Sequence, residues 1–230
     1  MTFLERTKRE LVLRAFLVRE GNGTDPAHDG GHVERVVRSA LQLAEVEGAN
    51  SEVVWAAAWL HDCVHVPKDS PDRSRASGLC ASAAREFLQS MKWFDVDIEA
   101  VADAIEAHSF TAAIEPRTLE AQVVQDADRL DALGAHGLAR NLMLAGSWNA
   151  GLAHPTDPWA EHRPLDDRTW AVDHFFAKLL TLAGSMKTTS GRREALRREG
   201  ILRLFLVELA RERGIDPPPP ISGNGLRSLT

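Results

Sequence analysis

The chain has few of the residues that mark secreted, β-rich or membrane-spanning proteins. Its 230 residues include two cysteines and no tyrosine. Because Cys63 and Cys80 do not form a CxxC pair, we expect no disulfide framework and a reduced, cytoplasmic protein. No apolar run is long enough to span a bilayer, and charge interrupts residues 1–20 every few positions. We therefore expect neither a membrane span nor a signal peptide.

A basic excess is also absent. The sequence has 27 Lys and Arg against 33 Asp and Glu, a formal net charge of -6. Proteins that bind nucleic acid or anionic membranes usually present a basic face, so the composition argues against both kinds of partner. The hydrophobic fraction of 44% is sufficient for a sizeable core in one domain.

Helical periodicity extends over most of the chain, whereas strand alternation is almost absent. The apolar spacing predicts helices at about 3–20, 25–48, 51–60, 73–91, 95–108, 117–145, 168–187 and 192–213. The second helix begins either at Asp25-Pro26 or nearer His32, because Gly30-Gly31 weakens its first turn. The predicted class is all-α: a bundle of about seven or eight helices in one domain, 1–213, followed by a flexible proline-rich tail, 214–230.

Residues 146–167 show no period, although they contain Gly, Pro, Trp and His. The segment is too long for a routine connection, and long irregular segments in compact domains are often functional or mobile. Trp148 and Trp159 either cover a site and stack on a base, or pack on the bundle as parts of a strap. The sequence leaves both interpretations open.

Histidine and aspartate recur at positions flanked by apolar residues. His32 begins the stretch HVERVV, His61-Asp62 follows the apolar run Val53 to Leu60, and QDADRLDALG (125–134) contains three aspartates. Buried charge is unfavourable unless it is paired or coordinates a metal. Imidazole nitrogen together with carboxylate oxygen suits Mn, Fe, Co, Ni or Zn, whereas carboxylates alone suit Mg or Ca.

Several short sequence motifs, in this order, resemble those of the HD-domain metal-dependent phosphohydrolases. The resemblance covers roughly 25–185 and points to a bacterial subfamily of small single-domain proteins, some of which act on nucleoside triphosphates. The motifs are HDGGHVERV (28–36), AAWLHD (57–62), AHSF (107–110), VQDADRLDALGAHGLAR (124–140) and HRPLDD (162–167). Gly30-Gly31 departs from the subfamily, which often has a tryptophan there, so we expect a differently shaped entrance beside His28.

The resemblance implies an all-α HD fold and a bound divalent metal. From the matching motifs, the resemblance implies that the metal ligands are His32, His61, Asp62 and Asp128. We expect manganese first, with Fe, Co, Ni, Zn or Mg as alternatives.

Three further residues near these ligands have open roles. Asp126 and Asp131 are either additional site carboxylates or charges on a helix surface. His65 follows His61 by four residues and would form an HxxxH pair if the helix continued, but we favour a loop histidine.

A bound metal would leave other phosphate charges and the leaving oxygen to nearby side chains, which suggests further catalytic and substrate-binding residues. His61 and Asp62 would be catalytic as well as metal-binding, and His108 is a general acid, a phosphate contact or a structural histidine. Candidates for substrate binding are His28, Lys68, Arg73, Arg75 and Arg129. The alternative is a solvated loop for Lys68, Arg73 and Arg75, and an ion pair that supports the site for Arg129.

The expected activity is hydrolysis of a small phosphate ester, namely a nucleotide. The first expectation is a nucleoside or deoxynucleoside triphosphate, attacked by metal-activated water with release of pyrophosphate. The alternatives are a nucleotidase or phosphodiesterase of the same superfamily, or a nucleotide-sensing module without catalysis. Superfamily membership does not fix the substrate, since HD proteins hydrolyse cyclic dinucleotides, nucleotides and alarmones.

Overall fold

A computed structural model describes residues 2–19, 30–66, 70, 72–109 and 112–219. Within these residues the regular structure is helical, and the only β feature is an isolated bridge between Gly151 and Trp170. The α-helices of this part of the chain are α1 (Phe3–Arg19), α2 (Gly30–Glu47), α3 (Ser51–Leu60), α4 (Ala76–Ser90), α5 (Ile98–His108), α6 (Leu119–Asp131), α7 (Gly134–Ser147), α8 (Asp173–Ala177) and α9 (Thr189–Arg213). The all-α prediction is confirmed.

The chain divides into two compact units, Met1–Asp128 and Arg129–Thr230. The expectation of one domain over 1–213 stays a prediction. Among the described residues, every helix is too short or too polar to cross a bilayer.

Helix α3 is the centre of the first unit. Asn50 caps it, because its side chain accepts hydrogen bonds from the amides of Glu52 and Val53. All residues from Val53 to Leu60 are buried, and α3 contacts α1, α2, α4 and α5. A helix that is apolar on every face belongs in such a position, as the sequence predicted.

The predicted helix 117–145 is wrong, because the chain forms two helices there. Leu133 is extended, with φ -111° and ψ 167°, and Gly134 has φ +73°, a left-handed conformation that favours glycine. A side chain at Gly137 would lie 2.0 Å from the carbonyl oxygen of Ala132. These glycines therefore permit a tight break between α6 and α7.

The predicted helix 168–187 is also wrong, since only α8 is α-helical there. Lys178, with φ -140°, ends α8, and two 3-10 turns follow at Leu179–Thr181 and Ala183–Ser185. This irregular path buries apolar residues that one straight helix would place on several faces. They are Phe175, Phe176, Leu179, Leu180, Leu182 and Ala183.

Residues 146–167 pack within the second unit. Trp159 is 4% exposed, lies edge-on to Phe176 and donates a hydrogen bond from Nε1 to the carbonyl oxygen of Asp216 at 3.0 Å. Arg163 pairs with the fully buried Asp173 at 2.5 Å. Trp159 therefore has the packing role of a strap, whereas Trp148 is 45% exposed beside Arg168.

Candidate metal centre

Four elements of the first unit bring histidine and aspartate side chains to one place. His32 lies in the first turn of α2, His61 and Asp62 directly follow α3, and Asp128 lies near the end of α6. His108 is the last residue of α5. The ends of separate helices thus supply the donors, and the buried α3 fixes two of them.

The donor atoms of this cluster lie close to one another. His32 Nε2 is 3.3 Å from His61 Nε2 and 3.5 Å from Asp128 Oδ1. His61 Nε2 is 3.7 Å from Asp62 Oδ2 and 3.8 Å from Asp128 Oδ1. Asp62 Oδ2 is also 4.0 Å from His32 Nε2. Two overlapping groups of donors therefore lie close enough to hold a metal, His32 with His61 and Asp128, and His61 with Asp62 and His108.

The ring of His61 is held in the orientation that a metal ligand needs. Its Nδ1 donates to the carbonyl oxygen of Ala58 at 2.8 Å, so Nδ1 carries a proton and Nε2 offers a lone pair in the neutral ring. Burial lowers the pKa of His61, and His108 and His32 lower it further, against the opposing effect of Asp62 and Asp128. The neutral form is the one that coordinates metal.

The electrostatics of the site match a divalent cation. The histidine side chains are buried, at 2% exposure for His32 and 0% for His61, whereas those of Asp62 and Asp128 are 30% and 27% exposed. Burial raises the pKa of Asp128, but the neighbouring histidines His61, His32 and His108 outweigh it and lower the pKa below its usual value. With the imidazoles in the neutral form that binds metal, the two carboxylates would supply the charge that one divalent ion balances. The donor set therefore fits such a metal.

His108 faces the same cluster from α5. Its Nδ1 donates to the carbonyl oxygen of Ile105 at 2.5 Å, and its Nε2 lies 3.5 Å from Asp62 Oδ1. Burial lowers the pKa of His108, but the hydrogen bond and charge of Asp62 outweigh burial and raise it to about 9. The protonated ring of the metal-free protein can therefore donate a proton or a hydrogen bond at Nε2.

Gln125 supports His108 and was not singled out from the sequence. It is 1% exposed, and its Nε2 donates to the carbonyl oxygen of Ala107 at 2.7 Å. This bond links α6 to the end of α5 next to His108. The only sequence signal for this role of Gln125 was its position directly before Asp126 in the QDADRL motif.

The predicted substrate-binding residues have separate outcomes. His28 and Lys68 lie outside the described residues, and for Arg73 only the backbone, in a 3-10 helix, is described. The side chain of Arg75 is 74% exposed and pairs with Asp72 at 3.4 Å. Arg129 donates from Nη1 to the carbonyl oxygen of Ser185 at 2.8 Å, so part of its guanidinium holds a backbone turn.

The structure also decides between the alternatives for three neighbouring residues. His65 is exposed and follows the end of α3 by five residues, so it does not form a helical HxxxH pair with His61. Asp126 and Asp131 are buried, at 0% and 3% exposure, and the helix-surface interpretation is wrong for both. Asp131 lies 3.7 Å from Arg140.

Comparison with known proteins adds independent findings. Residues 30–133 match the model of the HD domain family. The chain is 34% identical over 212 residues to the uncharacterised protein YpgQ of Bacillus subtilis, covering 89% of this chain and 92% of YpgQ.

Two solved structures also have folds similar to that of this chain. The crystal structure of Bacillus subtilis YpgQ in complex with ADP is similar, with 32% identity, a TM-score of 0.66 and coverage of 89% of this chain and 100% of YpgQ. An HD-superfamily hydrolase from Bacillus thuringiensis is also similar, with 26% identity, a TM-score of 0.67 and coverage of 90% and 99%.

Proposed function

Since this chain belongs to the HD domain family and is an HD-superfamily hydrolase, we propose that its substrate is a nucleotide. The observation that carries this proposal is the convergence of His32, His61, Asp62 and Asp128, whose donor atoms lie 3.3 to 4.0 Å apart in the pairs described above. The similar YpgQ structure holds ADP, which favours a nucleotide over other phosphate esters. Within this class, a nucleoside or deoxynucleoside triphosphate is our first candidate.

We infer that His32, His61, Asp62 and Asp128 hold one divalent ion, with manganese as the first candidate because the donors mix nitrogen and oxygen. When bound, such an ion supplies a Lewis acid that activates water and neutralises phosphoryl charge. The protein's own part is to fix the donors. Ala58 holds His61 in one tautomer, and the partly exposed carboxylates of Asp62 and Asp128 would be reached by substrate.

We assign His108 the handling of a proton near the reacting phosphate. Its Nδ1 is committed to Ile105, so only Nε2 can exchange a proton with the site. Asp62 Oδ1 lies 3.5 Å away, so Nε2 faces the same cluster of donors. From that position Nε2 would donate to a phosphoryl oxygen or to the leaving oxygen.

The activity is tested by supplying the purified protein with Mn²⁺, Co²⁺, Ni²⁺ or Mg²⁺ and a panel of nucleotides. The panel contains nucleoside and deoxynucleoside triphosphates, ADP, a cyclic dinucleotide and a simple phosphate monoester. We expect a nucleoside monophosphate and pyrophosphate from a triphosphate, quantified by ion-exchange chromatography. Nucleotide binding without turnover under every metal would support a sensing module instead, and turnover of the monoester alone would refute the nucleotide assignment.

The ligand assignment is tested with His61→Ala and Asp62→Ala. We expect both variants to lose stoichiometric metal by elemental analysis while the helical circular dichroism spectrum is retained. His65→Ala is the matched control, because His65 is a nearby but exposed histidine and should keep full metal content. If His61→Ala retains the metal, the proposed ligand set is incorrect.

A further inference from the structure

Helix α1 packs on the first unit through arginine side chains that lie over tryptophan rings. The guanidinium of Arg6 is 5.4 Å from the ring centre of Trp55, that of Arg9 is 4.7 Å from Trp93, and that of Arg14 is 4.9 Å from Trp59. Such contacts join a cation to the face of an aromatic ring. Because α1 precedes residues 30–133, the match to the HD family model does not include it.

Arg14 differs from the other two arginines because it touches both helices that carry the histidine ligands. Its Nη1 lies 2.5 Å from Glu34 Oε1 on α2, and its guanidinium lies over Trp59 on α3. Glu10 of α1 holds the same guanidinium through Nε at 3.1 Å and Nη2 at 2.8 Å. One side chain therefore connects α1, α2 and α3.

The two contacts of Arg14 lie on the opposite side of these helices from the cluster. Glu34 follows His32 by two residues, and Trp59 precedes His61 by two. Two residues on a helix correspond to a rotation of about 200°, so neighbours at this spacing point in opposite directions. Arg14 thus contacts α2 and α3 through side chains that point away from the cluster, whereas His32 and His61 converge on it with Nε2 atoms 3.3 Å apart.

We propose that Arg14 is a positioning residue that keeps His32 and His61 in register for the divalent metal; this inference rests on the proposed function. Its side chain is 42% exposed and that of Glu34 is 41% exposed, and an exposed ion pair contributes little to stability. The link between α2 and α3 has a geometric effect instead. A shift of α2 along α3 would separate the two Nε2 atoms, and metal affinity depends strongly on ligand placement.

The test compares Arg14→Met with Arg9→Met in the full-length protein. Arg9 makes an equivalent ring contact, and its Nη2 donates to both carboxylate oxygens of Asp95, at 2.8 and 2.9 Å. These contacts of Arg9 involve neither α2 nor α3. Mn²⁺ affinity is measured by electron paramagnetic resonance of the free ion, and folding by circular dichroism and urea denaturation. We expect Arg14→Met to weaken Mn²⁺ binding about tenfold, the lower end of the range for groups that orient ligands. Arg9→Met should change it less than twofold.

Two further variants keep the test decisive. Arg14→Lys retains the charge beside Glu34 without the planar stack and should recover part of the affinity. If Arg14→Met does not fold, Glu34→Gln weakens the bridge and leaves the stack on Trp59, and it should still weaken Mn²⁺ binding. Unchanged affinity in every folded Arg14 and Glu34 variant, or an equal loss in Arg9→Met, would overturn the inference. Absence of Mn²⁺ binding by the unaltered protein would instead contradict the proposed function.

Discussion

Replacing Asp62 by asparagine should weaken the pH dependence of stability that His108 gives to the metal-free protein. In the unaltered protein, burial lowers the pKa of His108, but the hydrogen bond and charge of Asp62 raise it from the ordinary 6.5 to about 9. A histidine whose folded-state pKa is raised stabilises the fold fully below its unfolded-state pKa. This stabilisation is lost as the pH rises from about 6.5 to about 9.

The size of the effect follows from the two pKa values. The difference between about 9 and 6.5 corresponds to about 3 kcal/mol of unfolding free energy, since each tenfold change in affinity for the proton is about 1.4 kcal/mol. In Asp62→Asn the neutral amide removes both favourable contributions of Asp62, whereas burial remains. The pKa of His108 should then fall, because only the charge of Asp128 and the hydrogen bond to Ile105 still raise it against burial, and its contribution to stability should depend less on pH.

The assay is urea denaturation between pH 6 and pH 9 in the presence of a chelator, together with NMR titration of the His108 ring. The unfolding free energy of the unaltered protein should fall by about 3 kcal/mol across this range, and that of Asp62→Asn should fall by clearly less. His108→Gln should remove most of the difference, because it removes the group whose pKa Asp62 raises to about 9. Parallel pH profiles for the unaltered protein and Asp62→Asn would refute the assignment of the His108 pKa to Asp62.

Three further predictions concern stability and thiol reactivity. Arg163→Met should lower the unfolding free energy by about 3 kcal/mol in urea, because it leaves the buried carboxylate of Asp173 without its partner; additive effects of Arg163→Met and Asp173→Asn would contradict this. Gly134→Ala should lower it by about 1 to 2 kcal/mol in the same assay, because a left-handed φ of +73° disfavours side chains, and no loss would refute the argument. Cys63 and Cys80 are free and buried, so a thiol reagent should label both rapidly only in the unfolded protein, and rapid labelling of the native protein would count against this packing.

The sequence predicted helices well where one face or every face is apolar. The run Val53 to Leu60 gave both the helix and its central position, because a helix without a polar face must be surrounded by protein. Prediction failed at Leu133-Gly134 and after Ala177, where apolar residues continue across a break. Periodicity cannot detect such breaks, since they depend on tight backbone approaches and on which neighbouring surfaces bury the side chains.

The candidate site was predictable in its members but not in its surroundings. The ordered HD motifs predicted His32, His61, Asp62 and Asp128 as ligands, and the structure brings these four residues together. The support from Gln125 and the burial of Asp126 were not accessible to the sequence, because contacts between α5 and α6 require three-dimensional packing. The exposure of Arg75 likewise depends on the direction of the chain after the HD pair.

The order of histidine and aspartate after α3 has a physical reason. The first position beyond the apolar run is fully buried, as shown by the 0% exposure of His61, whereas the Asp62 side chain is 30% exposed. A histidine can occupy the buried position as a neutral ring with one nitrogen bonded to Ala58 and the other available to a metal. A carboxylate at this buried position would lose its hydration. Burial would favour its protonated form, and a protonated carboxyl group does not bind metal well. The partly exposed second position suits the carboxylate, because the Asp62 side chain keeps part of its hydration there.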